Sequence, residues 1–283
     1  MRKKLILLIA VVFLSMTGLA QSATNELHGA VGITYDSKYI WRGFDIYGDK
    51  SAIHPFIDLD LYNTGFGLNL TGHRANSDKY ENSERWDYSL YYRGIAYEEQ
   101  PYATQYMFVY RYYNYPDNSS HSTSPINTAT GFLSSTDLQE MHALFSWPNI
   151  LPVEGLVPRY CIVKLWPSNS GSVVGANSPS GGTASGFAHI FMLDYALPVT
   201  CPFSGQNRTL NFHSEVVYND GVGPNGANVD QDWSNLVVGV GTDFDLGSNL
   251  TFTPGVYHQV TMDKSVNPDK DETWASLTLS YKF

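Results

Sequence analysis

The chain has 283 residues, a formal net charge of −10 at pH 7 and an aromatic content of 14%. Its 27 acidic residues outnumber its 17 basic ones, which argues against nucleic acid as a partner, because phosphate backbones are bound by basic surfaces. Beyond the amino terminus no segment reaches the ~20 apolar residues that a membrane-spanning helix needs. The 20 tyrosines and 24 glycines, without helical periodicity, instead favour an all-β fold.

The amino terminus has the features of a secretory signal peptide. Three basic residues at positions 2–4 precede an apolar run at 5–14, and Gly18 and Ala20 occupy the two positions that a signal peptidase inspects. A membrane anchor is the alternative, but the run is short for a spanning helix. The sequence thus predicts a cleaved signal peptide, 1–20, and export of a single domain, 21–283, from the cytoplasm of a Gram-negative bacterium.

Twelve segments then alternate apolar and polar residues, which is the pattern of a strand with two different faces. In chain order their apolar positions run over Leu27–Trp41, Ile53–Leu61, Phe66–Leu70, Trp86–Tyr92, Tyr102–Tyr112, Met141–Trp147, Tyr160–Trp166, Phe187–Leu197, Leu210–Tyr218, Leu236–Leu246, Leu250–Val260 and Ala275–Phe283. Most of them reach ~10 residues, the length that a tilted strand needs to cross a bilayer. Lys164 falls on an apolar face, which requires a position near the rim, where a lysine can extend to water.

The last segment ends the chain on an aromatic residue, Phe283. Such a two-faced strand resembles the closing strand of bacterial outer-membrane barrels and the signal that the barrel-assembly machinery reads. A half-buried strand of a soluble sandwich alternates in the same way. The aromatic residues near strand ends are predicted to form the girdles at the two membrane interfaces. They include Trp41, Tyr112, Trp147, Trp166 and Trp233.

The connections between the segments alternate in length, and this sorting favours the barrel. Short turns include 63–65, 98–101 and 247–248, whereas long polar stretches include 43–50, 76–83, 116–136, 168–185, 220–232 and 262–271. Outer-membrane barrels have short periplasmic turns and long external loops, and a soluble sandwich has no reason to sort its loops in this way. The connections after the sixth and eighth segments are longer and contain proline. An even strand number returns both termini to the periplasmic side.

Charged residues lie opposite the apolar stripes, where they must face water or one another, because a charge facing lipid is costly. The candidates for the lumen wall and its constriction are Lys38, Arg42, Asp58, Asp60, Arg93, Arg111, Glu140, Glu215 and Asp243. Either they only brace and hydrate the wall, or Arg42, Arg93 and Arg111 face acidic neighbours and form a selectivity constriction. Twelve strands enclose a lumen between that of filled eight-stranded barrels and that of open sixteen-stranded ones.

Cysteines and histidines indicate no catalytic or metal site. Cys161 lies partway along the seventh strand and Cys201 beyond the eighth, which separates them by more than the ~7 Å that a disulfide allows, although export favours bridges. His28, His54, His73, His142 and His213 share the lumen side without metal-ligand spacing. His213 and Ser214 point to opposite faces, and the Gly-x-Ser-x-Gly motif is absent. The sequence therefore predicts no enzyme and no cofactor.

Two motifs resemble those of one bacterial family. The stretch Tyr35–Gly43, which reads Tyr-Asp-Ser-Lys-Tyr-Ile-Trp-Arg-Gly, resembles the Ser-x-Tyr-aromatic-Arg-Gly signature of the TorF-type porins. The stretch Tyr112–Pro116, Tyr-Tyr-Asn-Tyr-Pro, resembles a second, tyrosine-rich patch of that family. The resemblance implies an outer-membrane barrel with a porin role and supplies no catalytic residues. From the residues themselves we expect Arg42 to turn inward at the end of the first strand and Gly43 to open the following loop.

We therefore predict an antiparallel transmembrane β-barrel of about 12 strands in the outer membrane, with both termini periplasmic. It would pass small polar solutes or ions by passive diffusion. Its predicted partners are the lipid bilayer, the barrel-assembly machinery through Phe283 and the small polar solutes. Two alternatives stay open: a plugged structural or adhesive barrel that acts through its external loops, and a barrel enzyme that cleaves lipids or peptides.

Overall fold

The structure is a computed structural model that describes residues 26–116, 137–167, 186–200, 205, 207–221, 230–267 and 270–283. The predicted signal peptide, 1–20, lies outside the described residues, as do Cys201 and most of the predicted loops at 116–136 and 168–185. Cys161 is described, and its thiol is free and buried.

The described residues form an all-β structure, as the alternating pattern predicts. Its strands are β1 (His28–Asp36), β2 (Ile40–Trp41), β3 (Phe44–Asp45), β4 (Ala52–Asp60), β5 (Phe66–Ala75), β6 (Arg85–Ala96), β7 (Thr104–Asn114), β8 (Leu138–Ser146), β9 (Leu156–Pro167), β10 (Phe187–Thr200), β11 (Asn207–Asp220), β12 (Asp232–Thr242), β13 (Phe244–Gly247), β14 (Leu250–Thr261) and β15 (Glu272–Lys282). One 3₁₀ turn, Glu81–Ser83, precedes β6. Among these residues no helix is long and apolar enough to cross a membrane.

The wall is a closed antiparallel barrel of twelve strand positions. The first strand pairs with the last, from Ala30 opposite Lys282 to Asp36 opposite Ser276, so that the sheet has no free edge there. Each remaining strand pairs with its neighbour in the chain, and β12 and β13 lie end to end along β14. Closure pairs the backbone groups that an open sheet would expose. The small β2–β3 sheet stands apart from the wall.

The two faces of the wall differ as predicted. On β15, Leu277, Leu279 and Tyr281 point outward and are 40%, 40% and 43% exposed. The intervening residues point inward, where the Thr278 hydroxyl and that of Thr34 lie 2.8 Å apart in a hydrogen bond. The outer surface is consequently an apolar belt, and the inner surface carries the polar groups.

Lys164 points outward near the end of β9, as its place in the pattern requires. Its ammonium group donates a hydrogen bond to the Gly186 carbonyl at 2.6 Å and lies 5.2 Å from the centre of the Phe187 ring. The lysine therefore reaches the rim with its charge and leaves only its aliphatic part on the outer face.

The first predicted strand is shorter than its apolar pattern suggests. β1 ends at Asp36, and the chain then turns into the barrel instead of continuing up the wall. Trp41 therefore does not belong to an interfacial girdle, which corrects the prediction, because its ring packs inside against Tyr113, Leu138 and Leu165. An inward-folded loop that keeps the alternating pattern of the preceding strand cannot be told from that strand by periodicity alone.

Candidate functional site

Residues 37–51, which we call the plug loop, connect β1 to β4 and fold into the barrel. Loops between strands normally lie on the surface, but in this loop Tyr39, Phe44 and Asp45 are each no more than 9% exposed and Tyr47 is fully buried. The Tyr47 hydroxyl donates a 3.0 Å hydrogen bond to the His73 carbonyl on the wall. The half of the lumen on the long-loop side is thus occupied by protein.

A tight hairpin gives the plug loop its shape. Trp41 pairs with Phe44 and Ile40 with Asp45, and a two-residue turn at Arg42 and Gly43 joins the two short strands. Both turn residues have positive φ, 49° and 93° respectively, which a hairpin turn of this length requires and which glycine adopts most readily. The hairpin places the Arg42 side chain against Glu140 on β8 and the Gly43 carbonyl against Gln259 on β14.

The hairpin tip is held by polar contacts to β14 and to the loop that follows β14. The Gly43 carbonyl accepts hydrogen bonds from Gln259 Nε2 at 2.7 Å and from Asn267 Nδ2 at 2.8 Å. Both amides are fully buried. A Cβ atom on Gly43 would lie 2.5 Å from Asn235 Oδ1, so only glycine fits this contact.

We expect Gly43→Ala to lower the free energy of unfolding by about 2–3 kcal/mol, because it adds a clash with Asn235 to the strain of a positive φ. Gly247→Ala is the matched control: its φ is 83°, but nothing lies within 4 Å of the added Cβ. The control should lose only about 1 kcal/mol. Urea unfolding of the detergent-folded protein measures both, and equal losses would contradict the tight contact at the tip.

Arg42 forms a buried ion pair with Glu140 on β8. The guanidinium Nη1 lies 2.7 Å from the carboxylate, which is fully buried. Glu140 also accepts a 2.7 Å hydrogen bond from the Tyr113 hydroxyl, and its other oxygen lies 2.7 Å from His142 Nδ1. A buried carboxylate requires such partners, because an unpaired charge in the interior is strongly unfavourable.

A second arginine, Arg85 on β6, fixes the hairpin from the side. Its guanidinium carbon lies 4.5 Å from the centre of the Trp41 ring and 4.7 Å from that of Tyr113, distances typical of cation–π contacts. It donates a 2.7 Å hydrogen bond to the Tyr39 hydroxyl and pairs with Asp87 at 2.7 Å. The plug loop is therefore bound to β6 and β7 as well as to β8.

The outer end of the plug loop is tied to the last loop of the chain by alternating charges. Lys38 Nζ lies 2.6 Å from Asp49 and 2.5 Å from Glu272, and Lys270 lies 3.0 Å from Asp49. Hydrogen bonds to Asp49 and Glu272 hold the pKa of Lys38 above its usual range, and those from Lys38 and Lys270 lower the pKa of Asp49. Folding stability from Asp49 is thus present above its ordinary pKa of about 4 and is lost only as the pH falls through the lowered value.

The same carboxylates form a cluster that could be mistaken for a metal site. Oxygens of Asp45, Asp49 and Glu272 lie within 4.8 Å of one another. The ammonium groups of Lys38 and Lys270 already pair with Asp49, and that of Lys38 also pairs with Glu272. Asp45 accepts backbone hydrogen bonds from Tyr47 and Asp49. The geometry therefore describes a salt-bridge network.

Below the plug loop, the half of the barrel on the short-turn side contains a cavity of about 1080 Å³, which we call the vestibule. Its wall carries ion pairs rather than apolar side chains alone. Arg93 pairs with Asp60, and Arg159 Nη1 lies 2.8 Å from Asp194. His213 Nδ1 lies 2.6 Å from the other oxygen of Asp194. A cavity of this size with fixed charges of both signs accommodates small polar solutes.

The residues predicted for the constriction lie at three depths instead of forming one ring. Lys38 is at the outer end, Arg42 and Glu140 form the central ion pair, and Asp60 and Arg93 line the vestibule. The remaining four make separate local contacts. Arg111 donates a 2.8 Å hydrogen bond to Ser89, and Asp58 accepts a 2.9 Å hydrogen bond from Tyr91. Glu215 lies 3.6 Å from His213, and the exposed Asp243 accepts a 2.5 Å hydrogen bond from Thr253.

Sequence reasoning missed the residues that receive the hairpin. Gln259 and Asn267 give no motif, and Trp41 carries the periodicity of a wall strand. The pair Arg42 and Gly43 could have indicated the hairpin. A glycine allows a tight turn, and an arginine beside it can anchor that turn to a carboxylate.

Comparison with solved structures shows the barrel fold. An outer membrane channel from Pseudomonas putida F1 is similar at 10% sequence identity with a TM-score of 0.50, over 94% of this chain and 98% of that one. The NanC porin shares 9% identity with a TM-score of 0.49, over 91% of this chain and 100% of that one. The KdgM porin, in a structure with disordered oligogalacturonate, shares 9% identity with a TM-score of 0.47, over 90% and 99%.

No protein-family model matches the sequence, and no curated protein matches it. At these low identities the resemblance to the Pseudomonas channel concerns the fold alone.

Proposed function

We propose that this protein is an outer-membrane channel for small polar solutes or ions and that the plug loop is its internal gate. The vestibule is the observation that carries the proposal. It is a cavity of about 1080 Å³ whose lining includes the paired charges of Asp60 with Arg93 and of Arg159 with Asp194. A barrel with a purely structural role has no need for a solute-sized, charge-lined chamber behind its plug.

The membrane setting is part of the proposal and is supported by the wall. A closed barrel with an apolar outer belt satisfies its backbone within the protein, as a hydrocarbon environment demands. Both ends of the described chain lie on the short-turn side, which is periplasmic in barrels of this type. The proposal includes removal of the signal peptide at 1–20, recognition of Phe283 by the barrel-assembly machinery and membership of the TorF-type porins.

The contact between the tip and the wall favours a gate over a permanent plug. Around the tip, both amide atoms of Asn235, the Gln259 carbonyl oxygen and the Thr261 hydroxyl have no hydrogen-bond partner in the described structure. The surroundings of the tip are therefore polar rather than apolar, and water can solvate these groups when the tip is released.

The second candidate is a plugged structural barrel, favoured by the complete burial of Tyr47 and Glu140. Planar-bilayer recordings separate the two. A gated channel shows discrete, salt-dependent current steps, whereas a permanent plug gives a silent barrel even though it is folded, as judged by its heat-modifiable gel mobility. Silence of the folded protein under all voltages, together with silence after removal of the plug loop, would reject the channel.

The vestibule charges give a prediction about ion selectivity. We expect Arg159→Gln to raise the cation-to-anion permeability ratio about twofold, because Asp194 then keeps only His213 as a positive partner. The reversal potential in a salt gradient measures this ratio. Arg74→Gln is the control, since Arg74 is 68% exposed and pairs with Glu84 outside the vestibule. A shift of equal size in the control would contradict the role of the vestibule.

A further inference from the structure

Four side chains from four neighbouring strands form a row beneath the base of the plug loop. The row, which we call the histidine row, consists of Asp36 on β1, His54 on β4, His73 on β5 and Asp87 on β6. His54 Nδ1 lies 2.9 Å from His73 Nδ1. His54 Nε2 lies 3.2 Å from Asp36 Oδ2, and His73 Nε2 lies 3.1 Å from Asp87 Oδ2. The four side chains are only 5 to 16% exposed.

Counting protons in the row shows why it is sensitive to pH. Each of its three contacts joins two atoms that carry lone pairs, and each therefore needs one proton between them. Two neutral imidazole rings supply only two. The third contact is made when one further proton binds, so that one ring is an imidazolium between two carboxylates. A fourth proton would place N–H groups on both Nδ1 atoms, and these would face each other at 2.9 Å.

The charges around the row make uptake of the fourth proton disruptive. The ionisable groups that face it are Asp36, Asp87, Arg85, Arg111, Tyr39, Tyr47, Tyr115 and Tyr257. The two arginines add positive charge, and the two aspartates already accept protons from the rings or from Arg85. Two adjacent imidazolium rings therefore repel each other, and no free carboxylate in the row remains to compensate.

The side chains of the row touch the plug loop through Tyr39, and the backbone carbonyl of His73 also accepts the hydrogen bond from Tyr47. The Tyr39 ring stacks on His73 with 5.0 Å between centroids and an angle of 15°, and it lies 4.6 Å from the His54 ring. Its hydroxyl accepts the hydrogen bond from Arg85 that also ties the hairpin to β6. Separation of the two histidine rings therefore displaces the residue that fixes the base of the loop.

We propose that the histidine row is a proton-controlled binding site for the base of the plug loop. With three protons it holds Tyr39 in place, and uptake of a fourth proton under acidic conditions separates the rings and releases the loop. The consequence for ion current rests on the proposed function, whereas release of the loop does not.

Two other contacts of the plug loop also involve groups that acid can protonate. A proton on His142 would place a second positive charge beside Glu140, 2.7 Å away, where it competes with Arg42 for the same carboxylate. Burial raises the pKa of Asp45, which accepts backbone hydrogen bonds within the loop. The variants described below therefore assign the response to the histidine row.

Hydrogen–deuterium exchange of the detergent-folded wild-type protein tests release directly. We expect the protection factors of residues 37–51, corrected for intrinsic exchange, to fall at least about tenfold between about pH 7.5 and about pH 4. The window extends below the usual range for histidine, because burial and the nearby Arg85 oppose a positive charge on His73. Protection of β15 should not change. Equal protection of the plug loop at both pH values would overturn the proposal, whether or not the protein conducts ions.

Two variants assign the response to the row. His54→Phe and His73→Phe each leave a single titratable ring and keep an aromatic surface for Tyr39, so each should abolish the pH-dependent loss of protection. His258→Gln is the control, because His258 is exposed and forms a hydrogen bond with Thr273, away from the row. A response that persists in both phenylalanine variants, folded by the heat-modifiability criterion, would overturn the assignment.

Bilayer recordings then separate the two proposals. Loss of protection together with a rise in open probability at low pH supports both of them. Loss of protection in a barrel that stays silent supports the histidine row and counts against the channel.

Discussion

Replacing residues 38–50 by Asn-Gly should raise the single-channel conductance about tenfold, because the plug loop fills the lumen of a twelve-stranded barrel that is otherwise wide enough to hold water. The replacement suits the fold, since Asp36 and Ala52 are already paired neighbours at the ends of β1 and β4. Asn-Gly is the favoured pair for a tight connection of antiparallel strands. Conductance in symmetric salt, recorded on heat-modifiable protein, measures the effect.

Removing the whole loop gives a cleaner result than changing Arg42 alone. Arg42→Ala would leave the Glu140 carboxylate buried and without its partner, which costs about 3–5 kcal/mol and risks misfolding. When the entire loop is absent, water reaches Glu140 and solvates its charge. A folded barrel that conducts no better without the loop would show that the lumen is blocked elsewhere.

Phe212→Arg on β11 should lower the free energy of unfolding by about 2–4 kcal/mol in lipid vesicles, because an arginine near the bilayer midplane must be desolvated. Phe212 points outward and is 40% exposed. Its neighbour Asn211 points inward and lines the vestibule, which makes Asn211→Arg the matched control. Urea titration in vesicles, followed by tryptophan fluorescence, measures both variants.

The adjacent pair tests the membrane setting and not only the fold. Without a bilayer, the arginine faces water in both variants. The difference between their free energies of unfolding should therefore appear only when the bilayer is present. If Asn211→Arg were as destabilising as Phe212→Arg in vesicles, the outer belt would not be the lipid-facing surface.

The wall was predictable because its physics is local. Leu277, Leu279 and Tyr281 alternate with Ser276, Thr278 and Ser280, and a period of two is enough to place them on opposite faces. The alternating lengths of the connections then indicate that the chain runs up and down the wall, with each strand next to its neighbour in the chain. Even the exception, Lys164, was predictable, since an apolar-face lysine is tolerated where its ammonium group reaches the rim.

The interior was predictable only in composition. The sequence places Arg42 and Glu140 on the lumen side, but nothing in either segment encodes that they meet, because they are separated by 97 intervening residues and joined by a loop that leaves the wall. Trp41 shows the limit most clearly: its spacing fits a wall strand, and tertiary packing against Tyr113 and Leu138 overrides that pattern. Long-range contacts of this kind are not set by local periodicity.

The hairpin tip meets amides that come from the far end of the polypeptide, and this has a consequence for the order of assembly. Gly43 bonds to Gln259 and Asn267, which follow it by 216 and 224 positions. Contacts of such separation form late, because the intervening chain must be arranged first. Insertion of the hairpin therefore follows completion of the wall, and protease resistance near Arg42 will report how many molecules have finished maturing.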